Sequence, residues 1–300
     1  MIYLLHLLVY FDIYVIVSLS LNIVVGYCGI ITLAHAGYFA IGAYVYALST
    51  QALGWGLIPA AMLAAAVAAC FSFVLSLASW RMRGDFFVLF SLAVQTVIFG
   101  IIYNWWSAGA PTGSWENLTN GSFGISGIAK PSIFGIEFNT VGSAAALFSV
   151  IAGLFVLLSR TLLRSPWGRV LKAMRDDELA TRSLGKNVRL LKVQALALAC
   201  GMAAVAGAMY ASYVSFVDPE SGALSESILF LSMIIVGGVG NSFRGPFVGA
   251  LTLLLIPEAL RYLALPDTIA FEIRLLVYGL MLVLLMHFRP RGLAGDLELK

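Results

Sequence analysis

The side chains best suited to acid–base or metal chemistry are three histidines, His6, His35 and His287, scattered along 300 residues without metal-ligand spacing. No serine or cysteine sits in a nucleophile elbow. Nothing matches the G-x-x-x-x-G-K-[ST] phosphate cradle, and Gly185-Lys186-Asn187 lacks the loop that would precede it. Cys28, Cys70 and Cys200 are odd in number and embedded in apolar runs, so they read as small buried hydrophobes rather than a disulfide or metal set. An enzyme reading therefore finds no catalytic constellation, and neither a cofactor nor a metal is expected. What is left is a set of polar side chains inside apolar runs: Asn22, Thr32, His35, Gln95 and Asn104. A polar group at membrane depth is costly unless it meets a partner or water, so these five are candidates for lining a translocation path. The plainer alternative is that each only bonds a neighbouring helix.

The elements that must hold them follow from composition. With 61% hydrophobic and 11% charged residues and a mean hydropathy of +0.95, the chain has more apolar surface than a soluble core can bury. It reads as an all-α polytopic membrane protein, a single transmembrane domain over 1–300. Apolar runs near the ~20 residues that cross a ~30 Å hydrocarbon layer fall at about 3–25, 28–50, 57–79, 86–105, 142–159, 193–215, 226–241, 246–264 and 272–288. Of these roughly nine segments, the first two are polar enough for one to be broken or re-entrant. The N-terminus has no basic n-region or clear cleavage site and reads as a retained span.

The net charge of +3 does not point to nucleic acid, because the basic residues lie beside apolar spans. Nine of the 18 lysines and arginines, Arg160, Arg164, Arg169, Lys172, Arg175, Arg182, Lys186, Arg189 and Lys192, fall between the fifth and sixth segments, which places 160–192 in the cytoplasm. Arg81, Arg83, Arg289 and Arg291 agree in parity. The Gly-, Ser-, Asn- and Trp-rich stretch 105–141 is then an external loop; counting full crossings puts the N-terminus outside, and a broken or re-entrant segment among the first two reverses it, so its parity is open. Small pairs four apart, Ala203/Gly207, Ala204/Ala208, Gly207/Ala211 and Gly245/Gly249, let neighbouring helices approach closely. Asp12, the odd acid of the first segment, is expected near an interface or a water-filled cleft.

Within the basic stretch, Ser165-Pro166-Trp167 supplies an N-cap with proline at the first helical position, and Leu184-Gly185 a stop. One helix of about five turns is predicted over 166–184. Val170, Leu171 and Met174 form a short apolar stripe on it, and Arg175, Asp176, Asp177 and Glu178 a polar cluster, as on a surface helix with one docking side. The stretch Arg164-Ser-Pro-Trp-Gly-Arg-Val-Leu-Lys-Ala-Met-Arg175, with Glu178-Leu-Ala-Thr-Arg-Ser-Leu-Gly185, resembles the cytoplasmic coupling segment of permease subunits of ABC importers of the branched-chain amino acid type, specifically the LivM-like half. It departs from the wider importer pattern in having Leu179 where the first alanine stands and Gly185 one place later. Four further stretches resemble the same family in the same order: Gly26–Tyr44, Asn120–Ile128, Gly237–Ala250 and Phe288–Gly295.

The resemblance implies a non-catalytic membrane subunit in the bacterial cytoplasmic (inner) membrane. It would pair with a second similar permease, be driven by two ATP-binding cassette subunits that hydrolyse ATP, and receive branched-chain amino acids from an external solute-binding protein. Met174, Arg175, Asp176, Asp177, Glu178 and Gly185 would couple to the ATPase, and the loop 105–141 would help to dock the binding protein. Similar permeases handle urea, short amides or aromatic acids. A stand-alone channel or secondary carrier is the rival class, expected to show ionisable residues at the midplane or paired broken helices.

Overall fold

In a computed structural model, the structure describes residues 2–82, 84–133, 135–241, 243–261, 273, 276–281, 283, 284, 287 and 292–295. Seven of the 17 residues of the ninth predicted segment, 272–288, together with Arg83, Arg289 and Arg291, lie outside the described residues. The first helix, α1 (Ile2–Leu21), runs on through a π-helical turn, Asn22–Tyr27. There follow α2 (His35–Leu53), α3 (Leu57–Ser79) and α4 (Asp85–Asn104). A long loop carries the two-residue strands β1 (Ile125–Ser126), β2 (Ser132–Ile133) and β3 (Ile136–Glu137). Helix α5 (Val141–Arg164) leads to α6 (Pro166–Asp176), α7 (Glu178–Ser183) and α8 (Val188–Val214). Strand β4 (Phe216–Val217) and a 3-10 turn, Pro219–Gly222, precede α9 (Leu224–Gly237) and α10 (Arg244–Arg261). The protein is all-α in its architecture.

Among the described residues, five helical stretches are long and apolar enough to cross a membrane: Ile2–Tyr27, α3, α4, α5 and α8. Their packing explains the composition. Helix α1 is mostly buried and is surrounded by α5, α8, α9 and α10, while α8 packs on α2 and α3. The outer faces of α3, α4 and α5 leave Met62, Phe71, Leu89, Val97, Val150 and Leu154 exposed, which is an apolar surface matched to lipid rather than water. The small pairs do what their spacing predicts. A Cβ at Gly207 would lie 1.9 Å from the Phe39 carbonyl oxygen of α2, and one at Gly249 1.8 Å from the Met233 carbonyl oxygen of α9. The backbones are already in contact there.

The two polar ends of the bundle are separated by the 24 residues of α5, about 36 Å of helix. At one end the long loop is tied down by an antiparallel pair, Ile125↔Val217 and Ser126↔Phe216, against the segment that follows α8. At the other end lie α6 and α7. The Arg175 guanidinium donates to the Gly26 carbonyl at 2.6 Å, which puts the end of α1 on the same side as the basic stretch. Helix α1 therefore begins at the opposite end of the bundle, where His6 meets Tyr213 near the end of α8.

Four expectations change. The predicted single helix 166–184 is two, because Asp177 leaves the helical region (φ −151°, ψ 106°) and its carboxylate accepts from Ala180 N–H at 3.0 Å, capping α7. Ser165 precedes α6 with proline at its first turn, yet its hydroxyl donates back to Leu162 and caps nothing. Cys70 is exposed on α3, whereas Cys28 and Cys200 are buried as expected. Asp12 reaches neither interface nor cleft: it is sealed between α1 and α5, accepting from the Ser149 hydroxyl at 2.7 Å.

Candidate functional site

The end of the bundle that carries α6 and α7 is built from charged groups with defined partners. Arg175 grips Asp176 as well as Gly26. The Lys192 ammonium, near the start of α8 and 7% exposed, donates to the Ser79 carbonyl that ends α3 and to Glu178 at 3.1 Å each. Glu178 in turn takes Arg182 at 2.9 Å. Lys172 lies 4.7 Å over the Tyr27 ring, and Arg189 5.7 Å over that of Trp80. Helices α6 and α7 are thus fastened to α1, α3 and α8 by directional bonds, so a displacement of the pair is passed to the spans. A cavity of about 350 Å³ lies among these groups, lined by Cys28, Ile31, Asp85, Arg175, Glu178 and Lys192 among others. Burial pushes the Cys28 thiol up to about 12, so it stays protonated there.

The apolar stripe of α6 points inward. Leu171 and Met174 are buried and Val170 is partly so, which removes Met174 from the surface that a partner would touch. The outward face is instead made by Ala173, Asp176, Asp177, Leu179, Ala180, Leu184 and Gly185. Leu179 and Leu184, at 62% and 80% exposed, are its apolar points. Asp177→Ala should cost α7 about 1 kcal/mol through loss of its N-cap. It should be seen as faster hydrogen exchange of the amides between Ala180 and Ser183, with α6 unchanged.

The five polar candidates divide. Asn104 is exposed and donates to Gly100 in its own helix at 2.7 Å, so it holds no path. Thr32 accepts from Ala34 N–H at 3.2 Å and shapes the turn before α2. Gln95 is a bridge: its carbonyl accepts from Gly37 N–H at 2.7 Å, and its amide donates to the Gly222 carbonyl. Asn22 donates to the Asn241 carbonyl at 2.8 Å, while its own carbonyl oxygen has no partner among the described residues. His35, the first residue of α2, is buried, and neither ring nitrogen is bonded among the described residues.

The Gln95 bridge locates something the sequence reading saw only in part. Gln95 is the eleventh of the twenty residues of α4, hence halfway along it. Both partners are near helix starts: Gly37 opens α2, and Gly222 immediately precedes α9. Ala36 N–H also donates to Ser227 of α9 at 3.1 Å. Two helices therefore begin at mid-depth and run to opposite sides, α2 outward and α9 toward the cytoplasmic end, each entered through irregular backbone, 28–34 and 218–223. Such breaks are tolerated where protein or water surrounds them and are typical of substrate routes.

Above this floor, on the external side, lies a cleft of about 240 Å³ that the sequence reading missed. Tyr10 and Tyr14 of α1, Phe39 of α2, Tyr210 of α8, and Asp218 and Glu226 beside the second break are among its lining. The signal was present: Asp218, Glu220 and Glu226 are three of the chain's 15 acids within nine residues. Among the described residues no three His, Cys, Asp or Glu side chains converge as a metal site.

A family model described as the branched-chain amino acid transport system permease component matches residues 3–286. The chain belongs to this permease family. Within it, the chain is 32% identical over 306 residues to the high-affinity branched-chain amino acid transport system permease protein LivM of Escherichia coli K12, covering 94% of this chain and 67% of that protein. Identity is 26% over 336 residues to the probable LivM of Methanocaldococcus jannaschii, covering 97% and 92% of the two chains. It is 25% over 305 residues to LivH of Escherichia coli K12, covering 96% and 92%. This permease is thus more like LivM than LivH of one organism. No solved structure matches it.

Proposed function

We propose that this permease is one of two similar membrane subunits of an ATP-driven importer in the bacterial inner membrane, carrying branched-chain amino acids handed over by an external binding protein. Its family and the LivM and LivH names of its relatives support the substrate. The observation that carries the mechanism is the pair α6 and α7, which offers Leu179 and Leu184 outward and is pinned by Arg175 to the end of the α1 stretch and by Glu178 to Lys192 of α8. Separate ATPases docking on that face would move the pair as a body. The bonds to Gly26 and Lys192 would then shift α1 and α8, with α3 following through the bond from Lys192 to Ser79, and change which side the central route faces. The binding protein would meet the loop at the other end, where Trp115 and Phe123 are exposed.

Paired breaks were the mark expected of a secondary carrier, and the structure has two. They argue for a mid-depth route without deciding its energy source, because the same half-helix geometry serves any alternating-access path. Energy source is what the test reads. Purified from its native membrane, the chain is expected to co-elute with ATPase subunits and a second permease, and Leu179→Glu with Leu184→Glu should abolish the ATPase share while the two permeases stay together. Uptake by the chain alone in ATP-free vesicles would sink the importer and favour the carrier.

A further inference from the structure

The cleft above the Gln95 floor has a chemistry of its own. Its walls are aromatic and mutually packed: ring centroids are 5.4 Å apart for Phe39 and Phe230, 5.6 Å for Phe39 and Tyr210, and 6.4 Å for Tyr10 and Tyr210. Carboxylates stand at its edge, with Asp218 and Glu220 in the segment that enters the bundle. No lysine or arginine lines it among the described residues, although the chain as a whole carries a formal charge of +3.

We infer that this cleft is a binding site for the ammonium group of the transported solute, the aromatic faces and Asp218 taking the cation. Ring faces attract a desolvated ammonium, and a neighbouring carboxylate adds to that attraction. The opening of about 240 Å³ suits a small metabolite rather than a peptide. The inference rests on the importer reading and sharpens it. Among the solutes that similar permeases handle, an amino acid carries the cation that this lining matches. Urea and short amides have none, and an aromatic acid without an amino group would be repelled by Asp218. Gln95 acts here as a positioning residue, since its bond to Gly222 fixes the turn that presents Asp218 and Glu220.

The test uses the whole complex, purified with its partner subunits and placed in nanodiscs without the binding protein. Three probes are compared by ligand-observed NMR titration: leucine, isoamylamine, which keeps the ammonium, and 4-methylpentanoate, which keeps the carboxylate. Leucine and isoamylamine are expected to bind and 4-methylpentanoate to fail. Asp218→Asn should weaken isoamylamine roughly tenfold; asparagine still caps the turn at Ser221 N–H as Asp218 does, so the backbone is preserved. Tyr210→Leu should weaken it similarly, and Tyr210→Phe, which keeps the ring, by less than about twofold. If Asp218→Asn fails to assemble, Glu220→Gln is read in its place, with a smaller loss expected because Glu220 is more exposed. Binding of 4-methylpentanoate as tight as isoamylamine, no binding of either amine, or unchanged amine affinity in both Asp218→Asn and Tyr210→Leu would overturn the site. Failure of the importer reading shows separately, as a complex that contains no ATPase.

Discussion

Replacing Lys192 by methionine is expected to cut ATP-driven uptake by more than about tenfold while leaving ATP hydrolysis in the assembled complex largely intact. Lys192 is the one described cation that joins the coupling pair to both α3 and α8, through Glu178 and the Ser79 carbonyl. Methionine fits the same channel but leaves a carboxylate only 19% exposed and a helix-end carbonyl without their donor. Removing one partner of a buried pair costs about 3–5 kcal/mol. Because Glu178 keeps Arg182, the lower end of that range is expected here. The damage falls on the joint, not on the face that meets an ATPase, so hydrolysis and transport should separate. Lys192→Arg, which keeps the charge, should recover part of the uptake. Glu178→Gln together with Lys192→Met should cost less than the sum of the two alone, since the carboxylate that lost the lysine is gone. Normal uptake by the methionine variant would show that the pair α6 and α7 transmits nothing by this route.

Much of this arrangement was legible in the sequence, for a physical reason. Hydropathy over twenty residues and glycine spacing are local or cumulative properties, so the long apolar spans and a close helix approach at Gly207 could be anticipated, though not that α2 is the helix that approaches there. The breaks were harder. Residues 28–34 and 218–223 are short, and whether a segment starts at the interface or at mid-depth depends on Gln95, 58 residues from one partner and 127 from the other. Direction of exposure was also hidden. Val170, Leu171 and Met174 have the periodicity of a docking stripe, but a helix lying on a bundle turns that stripe inward, and the exposed apolar points are Leu179 and Leu184 instead. The cleft escaped because its residues come from four helices and a turn, each contributing one or two side chains that look ordinary in their own segment. Asn104, picked for its polarity alone, proved to serve only its own helix.

The sharpest test of the packing is a pair of glycines with opposite expected signs. Gly207→Ala is expected to lower the melting temperature of the detergent-solubilised protein and its folded yield. The added Cβ would lie 1.9 Å from the Phe39 carbonyl oxygen and 3.0 Å from the Ala43 nitrogen, both backbone atoms that cannot rotate away. Overpacking of this kind costs about 1–3 kcal/mol, and more where backbone meets backbone. Gly42→Ala on the facing helix should behave alike, its Cβ falling 2.0 Å from the Ala204 carbonyl oxygen. Gly153 in α5 is helical too, yet a Cβ there meets nothing within 4 Å. Gly153→Ala should therefore gain the helix propensity of alanine, about 0.8–1 kcal/mol, and raise the melting temperature. If all three substitutions moved stability the same way, the close contact of α2 with α8 would not exist as described. The consequence reaches function, because pushing α2 away from α8 displaces Phe39 from Tyr210 and loosens Gly37 from Gln95. A Gly207 variant rescued by low temperature should thus still bind isoamylamine poorly, with the wall of the cleft and its floor both out of register.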